Sequence, residues 1–510
     1  MQYLLCLFLG VFYVMGFPNL LGHTLFLAPA ISIALILRLI LIHSFSLKRK
    51  LGLCLFFALG FCTFGYYWIP QTLSVFGEIN APWNFLMGSA LSLILIPQLF
   101  GTTLLIHYKK NLPLIVYPFV FALLEYFLPQ QFPGHVGHGW LNMVPYLGLA
   151  PYVGVPVFTF ISLWFLLSLF TEKKFRLFPT ASFLIFLTLN LIIPLNPVKN
   201  PEKIFVRMMQ PNIGNFLKLG AEQGHFASRR EMFKFYYDLT LAPTLDGKKL
   251  DLIIWPETAY PELLSSSVIK NDPELVPFIV KDLVTKTQTE LFFGGYDSQS
   301  ENVNDSNFQT EYNAGFLISL ENNLPLLSQT YRKIRLIPFG EGLPFGPLNK
   351  WLSGYIKNIS FFAQGEEFSS FKLNNEKRFV SAICYEVLFS DFIKDMLQAQ
   401  KEPPHFLLNI TNDSWYGKTM EPYQHFFLAK WRALEFNLPL VRSTNTGLSR
   451  IALPDGRELG NGGLFTAENI DLEFVVEKDP VATIYQRFGI FILIGLFSIL
   501  YFAQRFFSLA

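Results

Sequence analysis

The sequence predicts a multi-pass α-helical membrane domain of about eight spans joined to one α/β domain. The chain of 510 residues is 51% hydrophobic and contains 55 Phe, and its mean hydropathy of +0.35 exceeds that of ordinary water-soluble domains. The apolar residues form runs close to bilayer-spanning length from Met1 to about Leu195 and again from Ile484 to Phe507, whereas the sequence between them resembles that of a globular domain.

Each apolar run defines one predicted span, and the first and fifth runs are short for a helix that crosses a bilayer. The predicted spans are residues 3–17, 22–44, 51–70, 84–106, 112–128, 151–171, 177–195 and 484–507. The predicted domains are therefore a seven-span membrane domain, an α/β domain and a terminal span, over residues 1–195, 196–480 and 481–510.

Clusters of basic residues set the predicted orientation. They follow the second, fourth and sixth runs, at Lys48–Lys50, Lys109–Lys110 and Lys173–Arg176. Short loops rich in Lys and Arg stay in the cytoplasm, so these loops and the amino terminus are expected there. After seven spans the chain emerges on the opposite side, which places residues 196–480 outside the cytoplasm.

Charge and cysteine content restrict the possible partners and chemistry. The chain has 40 Lys and Arg against 38 Asp and Glu, so no basic field is available to attract nucleic acid, and no nucleic-acid partner is expected. Of its 4 Cys, only Cys384 lies outside the predicted spans. A solitary thiol in an oxidising compartment cannot form a disulfide within its domain, so it is either buried or used.

Apolar strands alternate with helical patterns between residues 196 and 480. The predicted strands are residues 204–209, 252–255, 291–294, 313–319, 379–383, 406–410 and 440–442, and the predicted helices lie near 229–240, 275–288, 386–399 and 423–437. Strands of this kind suit a sheet covered by helices, which is why the domain is predicted to be α/β.

Polar residues interrupt the apolar pattern at three strand ends, where α/β enzymes tend to place their sites. The segment LIIWPETAY delivers Glu257, YRKIRLIPFGE contains Lys333 and Glu341, and VSAICYE ends a strand at Cys384. Each residue has a simpler interpretation: Glu257 as part of a surface turn, Lys333 as a strand residue that extends its amine to water, and Cys384 as a buried structural thiol.

Together these residues supply the parts of a nucleophilic site. If a helix begins at Cys384, its N–H groups lower the pKa of the thiol and raise the thiolate fraction. A carboxylate such as Glu257 can accept the thiol proton, and an ammonium such as Lys333 can stabilise the oxyanion when sulfur attacks a carbonyl.

The segments WPE, YRKIRLIPFGE and ICYE resemble the Glu, Lys and Cys triad of the nitrilase superfamily. Joined to seven preceding spans and one following span, they resemble the bacterial apolipoprotein N-acyltransferase family over essentially the whole chain. The resemblance also includes the Tyr312–Asn313 pair and the segments WYG, PYQH, RALE and RSTNTG, which begin at Trp415, Pro422, Arg432 and Arg442.

This resemblance implies a nitrilase-like αββα domain that faces the periplasm from the bacterial inner membrane. It implies an acyltransferase without cofactor that moves an acyl chain from a phospholipid of the lipid bilayer to Cys384 as a thioester. The chain then passes to the α-amine of the diacylglyceryl cysteine that begins an apolipoprotein.

The resemblance also assigns roles to single residues. It makes Glu257 the general base, Lys333 the oxyanion stabiliser and Cys384 the nucleophile, with Glu341 completing the site. Supporting positions are Tyr385, Glu386 and Asn313. The simpler interpretations are that Tyr385 only packs, Glu386 only favours a helix start, and Asn313 only caps a strand.

Two long connections, near residues 214–229 and 342–367, are candidate arms at the membrane surface. The second contains aromatic residues that either reach the headgroups or fold into the core: Phe345, Trp351, Tyr355, Phe361 and Phe362. In the first arm Leu219 stands where related proteins carry Trp.

Polar residues near the fifth run raise two further possibilities. His135 and His138 have the spacing of metal ligands, but no Cys or acid is close in sequence, so no metal is expected. Glu125 lies near the outer end of that run and is either functional or merely reaches the interface.

Two other functions compete with acyl transfer. A membrane-tethered nitrilase-type amidohydrolase would use the same triad with water as the acceptor, although seven spans exceed what a tether requires. A scaffold without chemistry would not need Glu257, Lys333 and Cys384.

Overall fold

A computed structural model describes residues 1–75, 79–195, 198–244, 247–298, 311–338, 340–343, 346–349, 351 and 361–509. Apolar helices occupy the amino-terminal part, two β-sheets with flanking helices occupy the middle, and two helices end the chain.

All seven amino-terminal apolar runs contain helices. The helices are α1 (Gln2–Tyr13), α2 (Ala28–Ile42), α3 (Leu47–Gly65), α4 (Trp68–Val75), α5 (Trp83–Leu95), α6 (Pro97–Tyr108), α7 (Val116–Phe127), α8 (Ala150–Ser168) and α9 (Lys173–Ile192).

By length and composition, two helices in the described residues are long and apolar enough to cross a membrane, Ala150–Ser168 and Phe175–Ile192. A third span is possible if the helices Leu47–Gly65 and Trp68–Ser74, which meet at a bend of 72°, cross together as one. The fourth run is broken at Ile96. A proline disfavours helical geometry in the residue before it, and Pro97 directly follows Ile96. Eight complete spans therefore stay a prediction.

Glycine brings α1 and α3 into close contact. A Cβ atom at Gly10 would lie 2.0 Å from the carbonyl oxygen of Phe57, and one at Gly60 would lie 2.1 Å from that of Leu7. Small residues at such a crossing allow two backbones to approach, as in membrane helix pairs.

The middle of the chain contains two sheets. The first has the order β13-β1-β2-β4-β5-β6, with β3 paired to β4, and the second has the order β12-β11-β10-β9-β8-β7. The strands are β1 (Pro201–Gln210), β2 (Leu252–Ile254), β3 (Leu263–Leu264), β4 (Glu290–Ser298), β5 (Glu311–Glu321), β6 (Leu324–Arg332), β7 (Ser370–Lys372), β8 (Arg378–Ile383), β9 (Phe406–Thr411), β10 (Leu440–Thr444), β11 (Arg450–Ala452), β12 (Glu458–Leu459) and β13 (Glu468–Glu477).

Helices flank these sheets and follow them. They are α10 (Asn215–Glu222), α11 (Phe226–Leu241), α12 (Ser266–Asn271), α13 (Phe278–Thr287), α14 (Ser390–Gln398) and α15 (Glu421–Phe436), followed by α16 (Ile484–Phe488) and α17 (Phe491–Leu509). The eighth apolar run is therefore divided at Gly489, whose φ is 51°.

Aromatic side chains pack the two sheets face to face. The Phe292 ring lies 5.1 Å from that of Phe371 and 5.5 Å from that of Phe379. The neighbouring residue Phe293 instead joins a separate core with α11 and α13. Successive strand residues thus face opposite layers, which gives a sandwich of two sheets covered by helices.

Hydrogen bonds fix the α/β part to the apolar helices. Gln424 of α15 accepts a hydrogen bond from Trp68 Nε1 at 3.1 Å and donates to the carbonyl oxygens of Pro18 and Gly65 at 3.0 and 2.9 Å. Farther along α15, Glu435 Oε1 accepts the backbone N–H of Val155 at 3.1 Å. Three of these four bonds are buried and the bond to Pro18 is partly buried, so the two parts share a specific interface.

Candidate active site

The three polar strand ends meet between the two sheets. Glu257 follows β2, Lys333 follows β6 and Cys384 follows β8, and their exposed fractions are 7%, 0% and 4%. Lys333 Nζ lies 2.7 Å from Glu341 Oε1 and 3.5 Å from Glu257 Oε1. Cys384 lies close enough for the charges of Glu257 and Lys333 to act on its thiol. The structure therefore brings the three predicted triad residues and Glu341 into one buried site.

Asn313 connects the two carboxylates of this site. Its Nδ2 donates to Glu257 Oε1 at 2.7 Å and to Glu341 Oε1 at 3.0 Å. The second oxygen of Glu257 accepts the N–H of Asn412 at 2.8 Å, and that of Glu341 accepts the N–H of Ile337 at 3.0 Å. The interpretation of Asn313 as a mere strand cap is wrong, because its side chain orients both acids.

The Lys333 amine is a buried cation. Burial lowers its pKa, but the charges of Glu341 and Glu257 raise it by more, so its pKa lies above the usual range. The interpretation of Lys333 as a side chain that reaches solvent is wrong, since the whole side chain is enclosed.

The helix that follows Cys384 differs from the prediction. Residues Cys384–Leu388 form a short 3-10 helix, and the α-helix expected from residue 386 begins at Ser390. Burial, followed by the charge of Glu257, raises the pKa of the Cys384 thiol well above its usual range, and the opposing effect of Lys333 is smaller. The expected depression of this pKa is therefore wrong, because desolvation of the buried thiol outweighs the charge of Lys333 and the hydrogen bond of Thr411.

Backbone geometry also distinguishes Cys384, whose φ of 53° lies in the left-handed region. A residue other than glycine adopts this conformation only where its surroundings impose it. Here Asn409 Nδ2 donates to the Cys384 carbonyl oxygen at 3.0 Å.

Glu386 organises the segment that carries Lys333. Its carboxylate accepts the N–H groups of Ile334, Arg335 and Ile383, each at 2.8 Å, and the hydroxyl of Tyr331 at 3.0 Å. Burial raises its pKa to about 7. Its role therefore extends beyond favouring a helix start.

Tyr385 borders the same segment. Its hydroxyl donates to the Leu336 carbonyl oxygen at 3.3 Å, and its ring packs edge-on against Phe389 at 4.9 Å. Tyr385 thus combines packing with a hydrogen bond to the backbone between Lys333 and Glu341.

Sequence reasoning assigned no role to several residues behind the site. Polar residues on β9, directly after it and on β10 contact the triad or its neighbours: Asn409, Asn412, Asp413 and Arg442. The segments NITND and RSTNTG could have indicated these residues, because each places polar residues at the end of a buried strand.

A cluster behind the site has the composition of a metal site. Among the described residues, Asp413, Glu421 and His425 are the one group of three whose possible ligand atoms all lie within 4.8 Å of one another. Arg442 Nη2 lies 3.0 Å from Asp413 Oδ2, and His425 Nδ1 lies 3.3 Å from Glu421 Oε1.

Protons can balance the charges of this cluster without a cation. Burial and Arg442 lower the pKa of His425, but hydrogen bonds to Asp413 and Glu421 raise it overall. Together with Arg442, one proton on His425 or on Glu421, whose pKa burial raises to about 7, makes the cluster neutral. The arrangement is therefore that of an ion-pair network.

The polar residues within and shortly after the fifth apolar run form local hydrogen bonds. Glu125 is buried and accepts bonds from the N–H of Val136 at 2.9 Å and the hydroxyl of Thr159 at 2.7 Å, so it does not reach an interface. His138 Nδ1 accepts the N–H of His135 at 3.0 Å.

The first candidate arm contains α10. Phe216 and Leu219 are exposed, whereas Lys218 is buried and hydrogen-bonded to the hydroxyl of Thr258, the residue after Glu257. Leu219 therefore occupies the outward side of the arm.

The second arm is described only in part. Phe362 is buried and stacks on Tyr296 at 5.8 Å, which makes it a core residue, while Trp351 is exposed and Phe361 is half-buried. Phe345 and Tyr355 lie outside the described residues.

Comparison with known proteins identifies the class. The chain belongs to the carbon–nitrogen hydrolase family, whose sequence model matches residues 210–476, more than half of the 510 residues. A second model, that of the apolipoprotein N-acyltransferase N-terminal domain, matches residues 9–168.

Curated relatives that are similar to this chain carry the name apolipoprotein N-acyltransferase. One from Bdellovibrio bacteriovorus is 33% identical over 288 residues, which is 55% of this chain and 50% of the relative. One from Haemophilus influenzae is 28% identical over 433 residues, which is 80% of this chain and 77% of the relative. The aligned region thus spans about half the length of the first relative and most of the second.

Solved structures of the carbon–nitrogen hydrolase type are more distant. The carbon–nitrogen hydrolase from Helicobacter pylori is 13% identical, covers 53% of this chain and 89% of its own, and has a TM-score of 0.38. A resemblance of this size adds nothing to the sequence match.

Proposed function

We propose that this chain is an apolipoprotein N-acyltransferase that carries an acyl group on Cys384. One observation carries the proposal: the Glu257, Lys333 and Cys384 site is built into a domain that buried hydrogen bonds fix to apolar helices. Family models match both parts of the chain, and the relative from Haemophilus influenzae aligns with 80% of it, which supports a lipid donor over a water-soluble one.

The raised pKa of Cys384 means that its thiol is protonated at rest, so the first step needs a base. As sulfur attacks the ester carbonyl of a phospholipid, Glu257 accepts the thiol proton and the C–S bond forms. The C–O bond to glycerol then breaks, and Glu257 returns the proton to the departing oxygen. The products are a thioester on Cys384 and a lysophospholipid.

The second step transfers the acyl group to nitrogen. The neutral α-amine of a diacylglyceryl cysteine attacks the thioester carbonyl, and Glu257 accepts a proton from the amine. The C–S bond then breaks, and Glu257 gives this proton to the departing sulfur, which restores the thiol and the carboxylate. Lys333 lies beside Glu257 as a permanent cation and stabilises the oxyanion of both steps.

The neighbouring residues act by orientation. Asn313 and Glu341 hold Glu257 and Lys333 in one hydrogen-bonded set. Glu386 and Tyr385 bind the backbone between residues 334 and 336 and so fix the segment next to Lys333.

The proposed setting is the bacterial inner membrane, with the α/β part facing the periplasm. Basic clusters after the second, fourth and sixth apolar runs support this orientation. All eight runs contain helix, which is compatible with eight passes if the broken runs cross as bent segments.

Membership of the carbon–nitrogen hydrolase family favours a second candidate, amide hydrolysis with water as the acceptor. Mass spectrometry of Cys384 separates the two. With phospholipid alone, the purified protein should gain one acyl group that hydroxylamine removes, and Cys384→Ala should gain none. A lipopeptide with a free α-amine should then clear the adduct, and an N-acetylated lipopeptide should not.

Two outcomes would count against acyl transfer. Clearance of the adduct by water as fast as by the amine would assign the chain to the hydrolases. Full transfer by a protein whose Cys384 never changes mass would exclude the thioester route altogether.

A further inference from the structure

Arg442 lies at a branch point of the buried network behind the site. It is on β10 and is fully buried. Its Nη1 donates to Asn409 Oδ1, and its Nη2 lies 3.2 and 3.0 Å from the two carboxylate oxygens of Asp413. A planar guanidinium presents its donors in a fixed fork, so one side chain holds both partners at once.

The first branch leads to Cys384. Because the Asn409 oxygen binds Arg442, its Nδ2 faces the other way and donates to the carbonyl oxygens of Ala382 and Cys384 at 2.9 and 3.0 Å. The second of these bonds holds the backbone of Cys384 in its left-handed conformation. That conformation sets the direction in which the Cys384 side chain projects from the backbone.

The second branch leads to Glu257. Asp413 directly follows Asn412, whose N–H donates to Glu257 Oε2 at 2.8 Å. Arg442 is the nearer of the two cationic partners of Asp413, with its Nη2 3.0 Å from Asp413 Oδ2, while His425 lies farther away, with its Nδ1 3.5 Å from Asp413 Oδ1. The position of the amide that binds Glu257 is therefore tied to the same guanidinium.

We propose that Arg442 is a positioning residue that holds Cys384 and Glu257 at the separation their proton transfer requires, through Asn409 and Asp413. The inference rests on the proposed roles of these two residues. A lysine in place of Arg442 keeps the charge beside Asp413 but cannot reach Asn409 at the same time, because an ammonium is a point charge on a flexible stem.

Two substitutions test this positioning role. Arg442→Lys removes the Asn409 contact and preserves the ion pair, and Asn409→Leu removes the anchor on the Cys384 carbonyl without changing charge. We expect each to slow thioester formation by about 10²-fold at saturating phospholipid, the effect of a small misplacement, with KM unchanged. The double variant should be no slower than either single variant, because both interrupt the same branch.

Arg207→Lys is the matched control. Arg207 is also a buried strand arginine paired with an aspartate, and its Nε and Nη2 each lie 2.7 Å from Asp471, but the pair joins β1 to β13. Its replacement should lower the unfolding temperature as Arg442→Lys does and leave the rate of thioester formation unchanged.

A soluble donor, p-nitrophenyl acetate, makes the test independent of lipid chemistry. Its burst of nitrophenol reports acylation of Cys384, so this burst should slow in both variants even if phospholipid proves not to be the donor. Folded Arg442→Lys and Asn409→Leu proteins with wild-type burst rates would overturn the positioning role. So would an equal loss in Arg207→Lys, because the effect would then be one of general stability.

Discussion

Cys384 and Lys333 share one buried site, yet their pKa values are raised for different reasons. Desolvation opposes the charged form of each group. For Cys384 desolvation dominates and keeps the thiol protonated, whereas for Lys333 the charges of Glu341 and Glu257 overcome it and keep the amine protonated. At rest the site therefore combines a neutral nucleophile, a fixed cation and a carboxylate that can accept a proton.

Glu257 affects the thiol in two opposite ways, and Glu257→Gln separates them. Its charge raises the pKa of Cys384, so the substitution should lower that pKa and increase the rate of alkylation by iodoacetamide at a fixed alkaline pH. Acylation by phospholipid should instead become slower, because Gln cannot accept the thiol proton. Mass spectrometry of the peptide that contains Cys384 measures both, with Cys384→Ala as the blank. A parallel decrease in the two rates would contradict a base role.

Lys333→Ala removes the cation that we propose as the oxyanion stabiliser. Loss of one such stabilising contact costs about 10² to 10³ in rate, and we expect this decrease in single-turnover acyl transfer. Lys286→Ala is the control, because Lys286 is an exposed lysine that also pairs with an acid, with its Nζ 2.8 Å from Asp282. Equal rates of acyl transfer for Lys333→Ala and Lys286→Ala would contradict a role of Lys333 in oxyanion stabilisation.

Helix α10 joins the site to the surface at the scale of one element. Its buried Lys218 binds Thr258 beside Glu257, while Phe216 and Leu219 lie on the exposed side. A short helix with one anchored face and one exposed apolar face suits the boundary between headgroups and acyl chains. Helix α10 thus connects an exposed apolar surface to the residue that follows Glu257.

Phe216→Ser tests whether this surface contacts lipid. Phe216 is 95% exposed, so its replacement should leave the unfolding temperature unchanged. We expect lower transfer from phospholipid vesicles and unchanged acylation by a short soluble ester. Phe278→Ser is the matched control, since Phe278 is 84% exposed on α13 and lies outside both candidate arms. An equal loss of activity with both donors would indicate that Phe216 affects the chemical step. No loss of activity with phospholipid would show that Phe216 on α10 does not contribute to lipid contact.

The interface around α15 joins the two parts of the whole molecule. Gln424 contacts the bend between α3 and α4, and Tyr416, three residues after Asp413, packs edge-on against Trp68 at 5.1 Å. The loop that holds Glu257 through Asn412 therefore rests on the broken third apolar run. This contact fixes the position of the site relative to the apolar helices.

Reporter fusions test the orientation of the whole chain. Alkaline phosphatase is active only outside the cytoplasm, so a fusion after Pro480 should be active and one after Thr171 inactive, as the basic clusters require. A reporter that is active only in the cytoplasm should give the reverse pattern at both positions. Activity of the phosphatase at Thr171 would overturn the proposed topology, whatever the chemistry of the site.

Local patterns were sufficient for much of the fold. All seven strands expected from apolar runs are present, because a strand buried on both faces produces a continuous hydrophobic signal. Strands such as Glu468–Glu477 escaped prediction, since their charged residues alternate with apolar ones at the edge of a sheet. The break at Ile96 also escaped, although Pro97 marks it.

The sequence by itself determined the candidate residues Glu257, Lys333 and Cys384, because each follows a recognisable strand in a recognisable motif. Only the tertiary structure decided the protonation state of the thiol, since that depends on burial and on charges from distant segments. The same holds for Arg442, whose partners Asn409 and Asp413 lie 33 and 29 positions away along the chain. Sequence motifs record which groups are present, whereas desolvation and hydrogen bonding depend on distances that exist only after the sheets have packed.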